Sequence, residues 1–105
     1  MEKIKAFVYV EVQTSMPFEK FPWLENNPDI RQAPGFICKT WLSGVDNHSI
    51  GGFYGFDSIE NAKQYATVYM PNKCKELNIG LTTRIFDAEV VEAASKEMNS
   101  PFFVS

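Results

Sequence analysis

Cysteine, histidine and basic charge are all scarce in this chain. Two cysteines, Cys38 and Cys74, are too few for a disulfide framework, and one histidine, His48, cannot furnish a multi-histidine metal centre. Two buried free thiols is the plainer expectation for the pair. Ten basic against thirteen acidic residues leave a net charge of −3, which argues against a phosphate-backbone binder and so against nucleic acid as a partner. The apolar run around Phe7-Val8-Tyr9-Val10 is far short of a membrane span. The opening Met1-Glu2-Lys3-Ile4-Lys5 does not read as a signal peptide, so a soluble cytoplasmic protein is expected. Phosphate-binding glycine loops, Cys-x-x-Cys, His-Glu-x-x-His and Gly-x-Ser-x-Gly are all missing. Bound nucleotide, structural zinc and serine-hydrolase chemistry are thereby disfavoured.

What is present is apolar and aromatic. The 105 residues are 45% hydrophobic and include nine Phe, four Tyr and two Trp, which suits one globular core and no second one. Residues 1–105 therefore read as a single domain, with 98–105 as a C-terminal tail. Lys3 to Val12 has strand character. Pro17, Pro22, Pro28 and Pro34 punctuate the next stretch and predict a broken helical crossover, with Pro22 at a first helical position and a second short turn after Pro28. Phe36 to Ser43 and Ser49 to Phe56 read as two strands joined by a hairpin-length loop. Gly51, Gly52 and Gly55 weaken the second of them unless something needs close approach there. Asp57 as N-cap with Glu60 three residues on fits a capping box, and Ile59, Ala62, Ala66, Tyr69 and Met70 follow at helical spacing. Pro71 predicts a kink, Asn78-Ile79-Gly80 an end. Leu81 to Val91 reads as the last strand, followed by a short helical piece over Val90 to Met98. The order is β-α-β-β-α-β, a ferredoxin-like α+β pattern with two helices on one face of a four-stranded antiparallel sheet.

Two helices cover one face only, yet both strand parities carry apolar residues: Ile4, Ala6, Val8, Val10 and Val12 against Phe7 and Tyr9 in the first strand. Leaving several such side chains in water forfeits several kcal/mol at roughly 25 cal/mol per Å². A homodimer with bare sheet faces packed together is the simplest remedy. The tail, with Phe102, Phe103 and Val104, is the other available cover, over its own sheet or across a partner.

Polar residues inside apolar strands are the candidates for chemistry. Lys39 and Trp41 share a face of the second strand, and Arg84 lies mid-strand in the fourth. Glu11 and Arg84 are placed to pair across the ladder, as a structural ion pair or with the arginine lining a pocket. His48, beside Asn47, has a near-neutral pKa suited to proton transfer if it faces a cavity. The aromatics are compatible with a pocket for a flat ligand between helices and sheet, with Trp41, Tyr54, Lys39 and Tyr65 as the substrate-binding set and Tyr69 packing down.

Pro34-Gly35-Phe36-Ile37-Cys38-Lys39-Thr40-Trp41, then Asn47-His48, Gly51-Gly52-Phe53-Tyr54-Gly55-Phe56 and Arg84-Ile85-Phe86-Asp87 resemble the YdhR-type mono-oxygenases over about residues 34–90. The resemblance implies a dimeric α+β barrel related to oxygenases that oxidise phenolic aromatics to quinones with dioxygen and no bound cofactor or metal. Carried over by position, Asn47, His48, Trp41, Tyr54 and Arg84 are its candidate residues. The catalytic roles we expect are His48 as proton acceptor, Asn47 as hydrogen-bond donor and Arg84 or Lys39 as anion stabiliser, with Trp41 and Tyr54 as walls. A cyclase, isomerase or lyase on a similar enolisable substrate, a dimeric binding protein for a small apolar ligand, and a haem protein using His48 are the competing expectations.

Overall fold

A computed structural model describes residues 2–103. Strands β1 (Ala6–Gln13), β2 (Phe36–Ser43), β3 (Ser49–Phe56) and β4 (Leu81–Asp87) form one antiparallel sheet in the order β2-β3-β1-β4. Helix α1 (Trp23–Arg31) crosses from β1 to β2, and α2 (Ile59–Gln64) continues into α3 (Met70–Leu77) between β3 and β4. A short α4 (Glu92–Glu97) follows the sheet. This is the ferredoxin-like arrangement the strand and helix order implies.

The register assigns the side chains to two faces. Val8 lies opposite Tyr54 and Ile85, and Val10 opposite Gly52 and Thr83. With Ala6 and Phe56 these residues turn toward Ile30, Ala62, Tyr65, Ala66, Met70 and Cys74 and make the main core. Burying each large apolar side chain contributes about 1.5–3 kcal/mol, so this inner face anchors the helices. Both cysteines are free; Cys74 is buried and Cys38 half-buried, and burial pushes both thiols up.

Several local expectations are corrected. β1 begins at Ala6, and β4 stops at Asp87, whose side chain accepts from the backbone N–H groups of Glu89 (2.9 Å) and Val90 (3.1 Å) and turns the chain aside. Pro28 does not break the crossover helix, which runs through it. The carbonyl four residues back belongs to exposed Leu24, where water can replace the missing donor. Pro22 is the N-cap of that helix rather than its first residue. The cap of α2 is Ser58, whose Oγ accepts from Asn61 N (3.0 Å). Asp57 is still tied to the crossover through its N–H to Gly35 O (2.9 Å), and its carboxylate takes the Asn61 side chain instead. The perturbation expected at Pro71 takes the form of a π-helical turn, Tyr65–Tyr69, in which Met70 N reaches back to Tyr65 O. Widening the turn just before a residue that has no N–H lets the helix go on. Asn78, in the left-handed conformation (φ 54°), closes α3.

The outer face is partly covered by the chain itself. Phe102 and Phe103 lie over Phe7, at ring-centroid distances of 5.5 and 5.9 Å, and Phe102 reaches Phe53 at 5.4 Å. The tail thus folds back in cis over part of the second apolar surface; Val104 lies outside the described residues. Beyond the tail that face turns polar, with Tyr9 Oη donating to Glu11 (2.7 Å) and Gln13 Nε2 donating to the same carboxylate (2.9 Å). Among the described residues no helix is long and apolar enough to cross a membrane.

Candidate active site

The most unusual group on the inner face is a lysine. Alternation along β2 turns Lys39 and Trp41 inward, opposite Tyr54 and Gly52 of β3. A Cβ on Gly52 would stand 2.4 Å from Lys39 Cε, so the bare glycine is what lets the lysine stem lie flat across the neighbouring strand. Lys39 Nζ ends 3.2 Å from the centroid of Trp41 and 4.6 Å from that of Tyr54. Among the described residues it meets no carboxylate and no hydrogen-bond acceptor. Burial without a counter-ion pushes its pKa down to about 7. The ring faces favour the charged form and return a part of that cost.

Trp41 is held on its other sides. Its Nε1 donates to Asn27 Oδ1 of α1 (3.0 Å), and Phe18 and Phe21 lie at 5.7 and 5.5 Å from its ring. Phe18 opens and Phe21 follows a single 3-10 turn (Phe18–Lys20) set between Pro17 and Pro22. The proline-rich segment is therefore the wall of this niche. On the far side, Tyr54 Oη accepts from Tyr65 Oη (3.0 Å), and Tyr65 stacks on Tyr69 at 5.0 Å. Burial pushes both bonded phenols well above the ordinary tyrosine range, so they remain protonated. Tyr65, not Tyr69, is the deeply buried member of the helix pair.

The four expected substrate-binding residues, Lys39, Trp41, Tyr54 and Tyr65, thus form one contiguous set. The three expected catalytic residues do not join it. Arg84 pairs with Tyr9 in register, on the outer face, exposed. Glu11 lies opposite Thr82 and is engaged by Tyr9 and Gln13, so the expected Glu11–Arg84 pair is not formed. Asn47 and His48 are exposed on the β2–β3 loop, where Asn47 Oδ1 accepts from Ser49 Oγ and His48 O accepts from Thr14 N (2.8 Å). The expected hollow between helices and sheet is filled by Tyr54, Phe56, Tyr65 and Met70; the niche lies beside that core, not within it. An open groove of about 310 Å³ runs along the helices instead, past Val68, Tyr69 and Lys73. Asn27, Phe18 and Phe21 were not among the expected site residues. The signal for the phenylalanines is aromatic residues placed between prolines.

A four-stranded ferredoxin-like sheet with a lysine set among aromatic rings at its inner edge defines an α+β protein. The family model described as "Putative mono-oxygenase ydhR" matches residues 9–100, and the chain belongs to that mono-oxygenase family. Among solved structures, a monooxygenase from the gene ActVA-Orf6 of Streptomyces coelicolor, in complex with the ligand Nanaomycin D, shares the fold. Its TM-score is 0.56 at 12% identity, covering 80% of this chain and 87% of that one. No curated protein matches the chain.

Proposed function

We propose that this chain oxidises a phenolic aromatic or polyketide-like substrate with dioxygen and without a bound cofactor, at the Lys39 niche. The observation that carries the reading is the desolvated, unpaired Lys39 ammonium on the face of Trp41. Near neutral pH such an amine exists in both forms. As free base it takes the phenol proton, and as ammonium it then faces the phenolate it has made. The electron-rich anion reduces dioxygen, one oxygen atom enters the ring carbon and the other leaves as water. Trp41 and Tyr54 supply flat walls that exclude water, and Tyr65 fixes the Tyr54 hydroxyl. With Arg84 on the other face, Lys39 takes the anion-stabilising role. His48 and Asn47, exposed on the β2–β3 loop, take no part at the niche in this reading. The protein also pairs with a second copy through the outer-face strip the tail leaves bare, where Phe86 is 45% exposed.

Oxygen uptake by the purified protein with an anthrone-type or dihydroxynaphthalene substrate tests the reaction. Uptake that is lost in Lys39→Met supports it, and no uptake across the panel ends it. The same near-neutral base also suits an isomerase or lyase on an enolisable substrate, for which conversion proceeds with no oxygen consumed. Sedimentation at high concentration tests the pairing; a single monomeric species refutes it.

A further inference from the structure

We propose that Lys39 is a nucleophilic amine that captures flat aromatic aldehydes as a reversible imine, a covalent reaction at the same niche that does not depend on the oxygen chemistry. Three observations meet here. The amine has neither carboxylate nor hydrogen-bond acceptor within the described residues, so nothing in the protein holds its proton in place. It stands on Trp41 and beside Tyr54, with Phe18 and Phe21 beyond the indole, an apolar aromatic surround that matches a planar carbonyl compound in chemistry. Its stem rests over Gly52 with no side chain beneath it, so the amine reaches the rings across the neighbouring strand. The groups facing it from β2 and β3 are the two rings and a glycine, and the nearest titratable ones, Tyr54 and Tyr65, stay neutral. No negative charge among them opposes release of the proton.

The step is a condensation. The Nζ lone pair attacks the carbonyl carbon, a proton passes from nitrogen to oxygen, and the carbinolamine loses water to leave a C=N bond. Nothing is oxidised or reduced until a hydride reagent is added. Burial brings the Lys39 pKa to about 7. At that pH the free-amine fraction is about a thousandfold larger than for a lysine at its ordinary value. Lower basicity and a narrow approach reduce this advantage, and a preference of roughly tenfold or more should survive.

The test uses 4-hydroxybenzaldehyde with sodium cyanoborohydride at pH 7, followed by peptide mapping of the wild-type protein. The chain has eight lysines, which serve as internal references. The expected result is an adduct on Lys39 at least about tenfold ahead of Lys3, Lys5, Lys20, Lys63, Lys73, Lys75 and Lys96. Urea should erase the preference, and Lys39→Arg should lose the fast adduct while keeping the rest. Labelling spread over the exposed lysines, or Lys39 slowest of all, overturns the proposal. Because no oxygen is involved, fast Lys39 labelling without oxygen uptake keeps this site and ends the mono-oxygenase reading, and the reverse pattern does the opposite.

Discussion

Replacing Lys39 with methionine should stabilise the fold while destroying its chemistry. The unfolded chain holds the Lys39 proton up to the ordinary lysine value of 10.5, whereas the folded chain releases it near 7. Between these values the unfolded state binds more protons, so this group makes stability rise with pH; below about 7 both states are charged and the whole penalty is felt. Taken at face value the gap is worth roughly 5 kcal/mol. Lys39 is only half-buried and sits on an indole face worth about 0.5–2 kcal/mol, so a net penalty of about 2–4 kcal/mol is the reasonable range. Methionine keeps the unbranched stem over Gly52 and removes the charge. Allowing for the lost ring contact, the variant should gain about 1–3 kcal/mol at pH 6, and the gain should shrink toward zero by about pH 10. Urea unfolding of both proteins at matched pH steps measures this. Taking the difference between them cancels the contribution of the buried thiols and phenols, which lose protons in the alkaline range when the chain unfolds. A Lys39→Met protein that is no more stable than wild type at pH 6, or a difference that does not change with pH, would refute the claim that this ammonium is held at a cost.

The adjacent glycines of β3 should behave oppositely. In Gly51→Ala the new Cβ would fall 1.8 Å from Val10 O, so backbone must shift and about 2–3 kcal/mol should be lost in urea unfolding. In Gly52→Ala it would meet the movable end of Lys39 at 2.4 Å and the Tyr54 ring at 3.1 Å but no backbone, so the loss should be smaller, about 1 kcal/mol, while preferential Lys39 labelling disappears. Tyr54→Phe strands the buried Tyr65 donor and should cost about 1–3 kcal/mol by thermal or urea unfolding. The Tyr54→Phe, Tyr65→Phe double variant should cost less than the two singles together. Phe102→Ala uncovers Phe7 and Phe53 and should cost about 1–2 kcal/mol by the same assay.

The strand order and helix placement were legible because period-two and helical patterns are local. The site was legible only in part. Lys39 and Trp41 share a parity that any reader of β2 can see, and register then brings Tyr54 opposite Lys39. Arg84 was misleading because parity does not say which face is inner: its strand pairs with β1 so that Tyr9, not Val10, lies beside it. His48 drew attention by its chemistry, whereas its place is fixed by loop geometry, with a left-handed backbone at φ 51°. The tail could not be assigned, since aromatic side chains at a chain end fit either cis packing or a partner equally well. Pro28 suggested a break because sequence shows a missing donor but not that the orphaned carbonyl faces water.

The departures from ordinary local rules in this chain are not scattered. A glycine inside a strand, a half-buried lysine without a counter-ion and a π turn inside a helix are each mildly unfavourable on their own. A 3-10 turn between prolines adds a fixed, aromatic segment to them. All four contribute to one surface: Gly52 makes space for Lys39, the 3-10 turn brings Phe18 and Phe21 to Trp41, and the π turn begins at the residue that bonds Tyr54. Unfavourable features with independent causes have no reason to gather in a structure selected for stability alone. Their convergence on the Lys39–Trp41–Tyr54 face supports the site proposed there, at a cost the rest of the core offsets.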